Sequence, residues 1–398
     1  MNLPPYSEHV KHWQLNSNLV FLNHGSFGAT PKIVLQKQSE YRTQMELDPV
    51  RFMIDDLENL LWNSKEQLAL LVGAKAKDLV FVNNATTGVN TVLFNLNIKQ
   101  GDEFLTHNHA YGACKNALVH YAEKHGINVQ VAEVPFPLNS DDEIIEAFVK
   151  KINSKTRFAL IDHITSATGL IFPVKKLTGI LQEKGIEVLI DGAHAPGMID
   201  LNLEDIGAEY YTGNCHKWVC SPKGSAMLHV RSDKQANFHP VFTSHTYDKP
   251  VGEKRWSSQF IWAGTSDFTP YISIGDAIQF GGSLMNDWQT LRAHNHDLTI
   301  KGRNILLKVL DVPAPVPDHM LGSLSTIPLP FAYEQPSHFF HNTHPFGKTL
   351  YDQFKIQIPI HAWPENNTRM WIRISAQTYN SIEQYEYLGE ALKTLLKL

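Results

Sequence analysis

Residues 186–197 read Ile-Glu-Val-Leu-Ile-Asp-Gly-Ala-His-Ala-Pro-Gly, an apolar run that stops at Asp191 and passes into a turn. A run rich in isoleucine and valine predicts a strand that is buried on both faces of a sheet. Because ligands in open α/β sheets bind beyond the carboxyl ends of the strands, Asp191 and His194 become candidate site residues. An isolated Asp-Gly pair is also typical of a solvated strand end, so the surrounding sequence has to decide.

Short apolar runs alternate with amphipathic stretches on both sides of this segment, from about residue 21 to residue 230. Thr30 followed by Pro31 predicts an N-cap and a helix through Gln44. This order of strands and helices predicts an α/β domain with a largely parallel, buried sheet. The predicted strands are 78–83, 102–106, 127–134, 156–163 and 186–191, and the predicted helices between them include 87–96 and 111–125.

The pattern changes beyond about residue 268, where a long helix is predicted over 283–310 and a proline-rich connection follows. Short strands near 323–328, 355–359 and 370–375 and a final helix then predict a smaller α+β domain. We therefore divide the chain into three parts. They are an N-terminal segment, 1–20, that packs with the small domain, a large α/β domain, 21–268, and the small domain, 269–398.

The composition is that of a globular enzyme, with 398 residues, 43% of them hydrophobic, and a formal net charge of -5. A nucleic-acid-binding protein would need a basic stripe, and the sequence shows none. It also has no apolar run of the roughly 18 residues that a membrane span requires, and no secretory signal at its start. The cysteines at 114, 215 and 220 form no CxxC pair, which predicts a cytoplasmic location.

Two further segments carry polar residues at strand ends. Residues 210–218 read Tyr-Tyr-Thr-Gly-Asn-Cys-His-Lys-Trp and place Lys217 between two apparent strands. Residues 83–88 read Asn-Asn-Ala-Thr-Thr-Gly and lie between a strand and a helix, where free backbone N–H groups suit a phosphate. A surface lysine and an ordinary capped helix are the alternative interpretations when each segment is taken alone.

In this order and context, these segments resemble the class V aminotransferase superfamily of pyridoxal-phosphate (PLP) enzymes, most closely its isopenicillin N epimerase-like branch. The resemblance runs from Phe-Leu-Asn-His-Gly-Ser-Phe-Gly at 21–28 to Arg-Ile-Ser-Ala-Gln-Thr-Tyr-Asn at 373–380. It implies PLP fold type I, which has a large domain with a mostly parallel mixed sheet flanked by helices and a smaller α+β C-terminal domain.

The resemblance implies a role for each residue around the cofactor ring. Lys217 would hold PLP as a Schiff base and then shuttle the substrate α-proton. Asp191 would keep the pyridine nitrogen protonated, so that the ring acts as an electron sink. His194 and Ser166 would contact the phenolic oxygen of the ring.

A second group would hold the cofactor phosphate. Ala85 and Thr86 would lie at the helix N-terminus that cradles it, and Asn214 and His216 would complete the site. Cysteine desulfurases have a serine where this chain has Asn214. Thr265, in Trp-Ala-Gly-Thr at 262–265, resembles the segment that reaches the phosphate of the neighbouring subunit, which implies a homodimer with shared active sites.

Five residues are candidates to face the substrate or the ring. Either His109 or Tyr111 would stack over the pyridine and act in catalysis, and His109 is favoured because desulfurases have a histidine there. Arg373 would clamp the substrate α-carboxylate, for which a planar bidentate guanidinium is well suited. Asn23 and His24 are further candidates for contact with an amino-acid substrate.

The resemblance allows four reactions. Sulfur abstraction needs a cysteine shortly before Arg373, and residues 360–367 contain none. Epimerisation needs a second proton-carrying group, whereas β-elimination by a C–S lyase acting on a cysteine S-conjugate or sulfoxide needs only Lys217 and a good leaving group. We place epimerase or racemase first and C–S lyase second, with aminotransferase as a third possibility. A catalytically silent PLP-fold binding protein would not need Asp191, Lys217 and Arg373 together.

Other chemistry is not expected. The histidines at 338, 341 and 344 have no carboxylate or cysteine near them in sequence, so we predict no metal. No Walker motif and no GxGxxG fingerprint after a strand occurs, which argues against nucleotide binding.

Overall fold

The computed structural model describes residues 3–248, 255–332, 344–363 and 369–398. The strands are β1 Val20–Phe21, β2 Leu79–Val82, β3 Glu103–His107, β4 Asn128–Ala132, β5 Thr156–Asp162, β6 Glu187–Asp191, β7 Tyr210–Asn214, β8 Ala226–Val230, β9 Leu324–Ala332, β10 Ile356–Gln357, β11 Ile360–Ala362 and β12 Arg369–Ser375. The α-helices are α1 His24–Phe27, α2 Lys32–Leu47, α3 Pro49–Arg51, α4 Leu57–Val72, α5 Ala85–Asn95, α6 Gly112–His125, α7 Asp141–Val149, α8 Val174–Gln182, α9 Leu203–Ile206, α10 Arg255–Ile261, α11 Thr269–Leu284, α12 Trp288–Leu310, α13 Pro345–Phe354 and α14 Ile382–Leu396.

The largest sheet is a mixed, mostly parallel sheet in the order β2-β8-β7-β6-β5-β3-β4. Strands β4, β3, β5, β6 and β7 pair in parallel, while β8 pairs antiparallel with both β7 and β2. Successive side chains of β6 enter two different cores: Val188 and Ile190 pack in one and Leu189 in the other. A strand covered on both faces has no polar side, which explains its continuous apolar run. The predicted fold class is therefore confirmed.

The register of this sheet brings the polar strand ends together. Asp162 at the end of β5 pairs with Asp191 at the end of β6, and Asp191 pairs with Thr212 of β7. Helix α5 follows β2 and packs against β7. The carboxyl ends of β3, β5, β6 and β7 therefore line one edge of the sheet, where a ligand is expected.

The C-terminal part of the chain, from β9 onward, forms a three-stranded antiparallel sheet in the order β11-β12-β9, with its own apolar core. The start of the chain contacts this part, since Val20 pairs with Ile356 and the amide of Ser7 donates to the carbonyl of Tyr379. The packing of the whole segment 1–20 on the small domain stays a prediction. The division at residues 268 and 269 stays a prediction.

The long helix predicted over 283–310 corresponds to α12, but it begins later, at Trp288, because residues 283 and 284 end α11. Asn286 takes a positive φ of 75°, and the side chain of Asp287 accepts from the amide of Thr290 at 2.6 Å, so α12 begins afresh there. None of the helices that the structure describes is long and apolar enough to cross a bilayer.

The predicted N-cap at Thr30 is also wrong. Helix α2 begins at Lys32 with Pro31 as its N-cap residue. The Thr30 hydroxyl instead donates to the carbonyl of Ser221, in the loop that carries Lys217. The hydroxyl of a threonine before a helix can either cap that helix or bond to a distant residue, and the sequence alone does not show which it does.

Candidate active site

Lys217 lies in the loop between β7 and β8, at the carboxyl edge of the large sheet. Its Nζ is 3.2 Å from Nε2 of His194, and Nδ1 of His194 accepts from the indole N–H of Trp218 at 3.3 Å. The neutral imidazole therefore carries its proton on Nε2 and directs it at a lysine lone pair. Burial first, and the charge of Arg373 next, lower the pKa of Lys217 to about 8. This lysine is readily available as a free amine.

Asp191 is buried and lies close enough to Lys217 for its charge to raise the pKa of that lysine. One carboxylate oxygen, Oδ1, accepts from the amide of Ala193 at 3.0 Å, while Oδ2 has no partner among the described residues. Burial, followed by the charge of Asp162, raises the pKa of Asp191 to about 6. A buried acceptor without a donor is costly unless a ligand supplies one.

Asp162 is a second buried carboxyl that the sequence analysis missed. Its Oδ2 accepts from the amide of Tyr111 at 3.2 Å, and its Oδ1 is 3.3 Å from Nε2 of His107. Nε2 of His107 already accepts from the amide of Asp162 at 3.1 Å. Burial raises the pKa of Asp162 to about 8 and lowers the pKa of His107 to about 3. The pair is therefore neutral at pH 7. A signal existed, because Asp162 ends its strand as Asp191 does.

The N-terminus of α5 lies at the same edge. The amide of Ala85 donates to Oδ1 of Asn214 at 2.9 Å, and the amide of Thr87 donates to Oδ1 of its N-cap, Asn84, at 2.8 Å. The predicted phosphate residues Ala85 and Asn214 are thus in direct contact. The Thr86 amide lies between these two capped amides, where the positive end of the helix dipole favours an anion.

His216 and Thr265 are placed differently. Nδ1 of His216 donates to the carbonyl of Ser225 at 3.0 Å, which leaves Nε2 as the acceptor. Burial first, and then the charge of Lys217, lower the pKa of His216 to about 4. Thr265 is exposed and lines a surface cleft together with Thr87 of the first turn of α5.

Arg373, in β12, reaches across to the lysine side of the site and is buried. Its Nη1 donates to the carbonyl of Ser166 at 2.5 Å and to the Ser166 hydroxyl at 3.3 Å. Its Nη2 donates to the hydroxyl of Ser26 at 3.1 Å and to Oδ1 of Asn23 at 3.5 Å, and Nε has no partner among the described residues. Three predicted site residues, Arg373, Ser166 and Asn23, therefore form one polar cluster.

The two candidates for the ring-stacking position differ in their surroundings. His109 is buried, with Nε2 donating to the carbonyl of Val134 at 3.1 Å and Nδ1 accepting from Thr168 at 2.8 Å. Its ring packs on Trp363 with centroids 4.1 Å apart. Tyr111 is only partly buried, and burial first, then Cys114 and Asp191, raise the pKa of its hydroxyl.

His24 lies beneath the lysine loop and is fully buried. Its Nε2 donates to the carbonyl of Lys217 at 3.0 Å, and its Nδ1 accepts from the hydroxyl of Tyr379 at 2.8 Å. Burial lowers its pKa to about 3, so the ring is neutral and both nitrogens are engaged. His24 supports the backbone of Lys217.

Of the histidines at 338, 341 and 344, for which no metal was predicted, the structure describes only His344. His338 and His341 lie outside the described residues. His344 caps α13, where its Nδ1 accepts from the amide of Phe346 at 3.1 Å.

The site has what pyridoxal phosphate needs. Asp191 offers a buried acceptor to a protonated ring nitrogen, and Lys217 offers its amine to an aldehyde. The start of α5 offers the Thr86 amide to a phosphate, since the Ala85 and Thr87 amides are already paired. A cationic ring nitrogen would satisfy the unpaired Oδ2 of Asp191. These residues fit the cofactor that the resemblance implies.

Known proteins support this assignment. A model of the family described as Aminotransferase class-V matches residues 20–388. A putative L-cysteine desulfhydrase 1 from Oryza sativa subsp. japonica is 30% identical over 94% of this chain and 83% of that protein. An isopenicillin N epimerase from Amycolatopsis lactamdurans is 30% identical over 94% of this chain and 95% of that protein.

Solved structures share the fold. The apo structure of a cysteine desulfurase from Thermococcus onnurineus NA1 superimposes with a TM-score of 0.82, at 20% identity over 100% of both chains. A lysine-to-alanine variant of C-DES, with glycine covalently linked to its PLP cofactor, gives a TM-score of 0.76, at 18% identity over 96% of this chain and 98% of that chain. From its sequence match and the fit of its site, this chain is a PLP-dependent enzyme of the class V aminotransferase family.

Proposed function

We propose that this enzyme is a C–S lyase that eliminates a thiol from the β-carbon of a cysteine-type substrate. The observation that carries the proposal is the contrast between Lys217 and the nearby histidines. The pKa of Lys217 is lowered to about 8, so it gives up its proton more readily than an exposed lysine, whereas His24 and His109 each have both ring nitrogens in hydrogen bonds. β-Elimination needs one proton-transferring group, and Lys217 can act alone.

Substrate binding begins at Arg373. The guanidinium is buried and its present acceptors are neutral oxygens of Ser166, Ser26 and Asn23. A substrate α-carboxylate would replace neutral acceptors by a charged one, which makes stronger hydrogen bonds with arginine. This clamp would hold the α-carbon near Lys217.

Lys217 then acts as base and as acid. PLP supplies the electron sink that makes the α-proton acidic when the cofactor is bound. The neutral amine of Lys217 takes the α-proton and, as an ammonium, returns it to the departing sulfur, which leaves with the electron pair of the C–S bond. The net reaction adds one water and yields pyruvate, ammonium and a thiol. His194, whose Nε2 is 3.2 Å from Nζ, positions the free amine before it takes the α-proton.

The roles around the cofactor form part of the proposal. Asp191 pairs with the ring nitrogen and His194 with the phenolic oxygen. The Thr86 amide and the side-chain amide of Asn214 would hold the phosphate. His216 would join them as a donor once the phosphate charge favours a proton on its Nε2. For the stacking ring the contacts favour Tyr111, because it is partly exposed and lies close enough to Asp191 to feel its charge.

Epimerisation stays as the second candidate and was the first choice from sequence. It would need a group that returns a proton on the face opposite Lys217, and the Tyr111 hydroxyl is the observation in its favour. The pKa of this hydroxyl is raised by burial, so Tyr111 would act as a proton donor. No comparable observation supports transamination or a silent binding protein.

A homodimer with shared active sites is also proposed. Three large apolar side chains in one stretch, Leu47, Val50 and Ile54, are 73–79% exposed, and such a cluster is typical of an interface. Thr265 is exposed, as a residue must be that reaches a neighbouring subunit.

The described cysteines are all free and buried, which supports a reducing, cytoplasmic location.

Proton NMR in D₂O with L-cysteine and cysteine S-conjugates tests the reaction. We expect pyruvate and a released thiol to appear together as the substrate is consumed. The Lys217→Ala variant should abolish product formation, and it should no longer retain the cofactor covalently after borohydride reduction. Lys184→Ala, which removes an exposed lysine after α8, should leave both unchanged.

The same spectra contain the opposing result. Loss of the α-proton signal with formation of the D-isomer and without pyruvate would replace the lyase by the epimerase. A Lys217→Ala protein that still eliminated thiol would remove Lys217 from the reaction altogether.

A further inference from the structure

Three side chains that the reaction does not use meet at the opposite end of the large sheet. Asp78 directly precedes β2, Glu204 lies in α9, and His229 lies near the end of β8. His229 pairs with Leu79 of β2 and with Tyr211 of β7, while Ala226 of β8 pairs with Asn214. His229 is thus roughly 10 Å along the sheet from the cofactor edge.

His229 is buried, with 3% of its surface exposed, and neither ring nitrogen has a hydrogen-bond partner among the described residues. A neutral imidazole normally donates with one nitrogen and accepts with the other. Two unpaired nitrogens in a buried ring indicate that a ligand belongs there.

The two carboxylates face the same space. The side chain of Gln235 donates to Oδ1 of Asp78 at 2.7 Å, and Lys75 donates to Oε2 of Glu204 at 2.6 Å. The other oxygen of Glu204, Oε1, is 3.9 Å from Nε2 of His229. One donor atom from each of Asp78, Glu204 and His229 lies within 4.8 Å of the others.

The backbone around Glu204 is held in place while its side chain can move. The amide of Glu204 donates to the carbonyl of Gly73 at 3.1 Å, and the side chain of Asn202 caps α9 by accepting from the amide of Asp205 at 3.0 Å. The Glu204 side chain is 42% exposed, whereas Asp78 and His229 are buried. A small rotation of one exposed carboxylate would therefore close the triad around an ion.

We propose that Asp78, Glu204 and His229 bind a divalent transition-metal ion of the Zn²⁺ type. Bonds of about 2.0–2.2 Å to one nitrogen and two carboxylate oxygens are typical of zinc, with water as a fourth ligand. The imidazole selects against Mg²⁺ and Ca²⁺, which prefer oxygen ligands. Lys75 and Gln235 orient the carboxylates from the outside. The ion would tie β2, α9 and β8 together at a distance from the cofactor.

Zinc binding to the PLP-loaded enzyme tests the site. The protein is equilibrated with Zn²⁺ after chelator treatment, and bound zinc is counted per protomer by mass spectrometry at several free concentrations. We expect one zinc per protomer that excess Mg²⁺ does not displace. His229→Gln and Glu204→Gln should each weaken zinc affinity at least tenfold.

Asp205→Asn is the matched control, because Asp205 neighbours Glu204 but pairs with Lys175. This variant should bind zinc as the unaltered protein does. The visible absorbance of the bound cofactor, measured on every variant, shows that the fold is kept. No zinc above background, or equal zinc affinity in His229→Gln, Glu204→Gln and Asp205→Asn, would overturn the proposal.

Discussion

At the scale of single residues, Asp162 has the clearest consequence for stability. It is buried beside a neutral His107, and its pKa of about 8 lies far above that of an exposed aspartate. Between those two values the folded chain holds a proton that the unfolded chain has released. Stability therefore falls as pH rises through this window and levels off above the folded pKa.

Asp162→Asn removes this titration while preserving the shape of the protonated carboxyl. As pH rises from 5 to 8, the variant should become more stable relative to the unaltered protein, by up to about 1.4 kcal/mol of unfolding free energy per pH unit. Its melting temperature should rise relative to that of the unaltered protein over the same range. The measurement is thermal unfolding of the cofactor-free forms across that range. A difference in melting temperature that does not change with pH would show that Asp162 is ionised in the folded protein.

At the scale of elements, the close packing of α5 on β7 positions the phosphate site. A Cβ on Gly88 would lie 2.1 Å from Oγ1 and 2.7 Å from Cβ of Thr212. Thr212 is held by its strand and by a hydrogen bond to the carbonyl of Met227 at 2.9 Å. Only glycine lets this helix approach the strand and present its N-terminus at the cofactor edge.

Gly88→Ala should push the start of α5 away and weaken PLP affinity at least tenfold, which a cofactor titration followed by absorbance measures. Gly179→Ala in α8 is the control, since a Cβ there meets nothing within 4 Å. That variant should keep cofactor affinity and be as stable or up to about 1 kcal/mol more stable. Equal PLP affinity in the two variants would contradict this role for α5.

The local sequence was sufficient to predict that a strand ends at Asp191, because a strand buried on both faces of a sheet has a recognisable run of apolar residues. The resemblance supplied Lys217 and Arg373. The sequence could not show that Arg373 contacts Ser166, since that contact joins residues 207 positions apart and depends on how β12 meets the large sheet. The preference for His109 over Tyr111 came from the resemblance alone, and only the structure showed that the ring of His109 is held by Val134 and Thr168.

At the scale of the whole molecule, shared active sites can be tested by mixing two inactive variants. Lys217→Ala lacks the base, and Thr265→Glu should repel the neighbouring phosphate. In a mixed dimer with shared sites, one site receives both normal residues. Activity should then rise towards about a quarter of the unaltered level for random pairing of protomers.

Light scattering on the unaltered enzyme gives the state of assembly in the same experiment. Shared sites would be excluded if the enzyme were a monomer. They would also be excluded if Thr265→Glu were inactive alone and the mixed samples were as inactive as the two parent variants. A fully active Thr265→Glu protein would remove Thr265 from the cofactor site.

The support of Lys217 by His24 also has a consequence for biosynthesis. His24 holds the lysine loop but is itself held by Tyr379, 355 positions later in the chain. A ribosome releases these residues in order, so a nascent chain can form the large sheet well before the lysine loop has its support. The lysine loop therefore lacks this support until Tyr379 has left the ribosome, so firm retention of PLP follows synthesis of the segment that carries Tyr379.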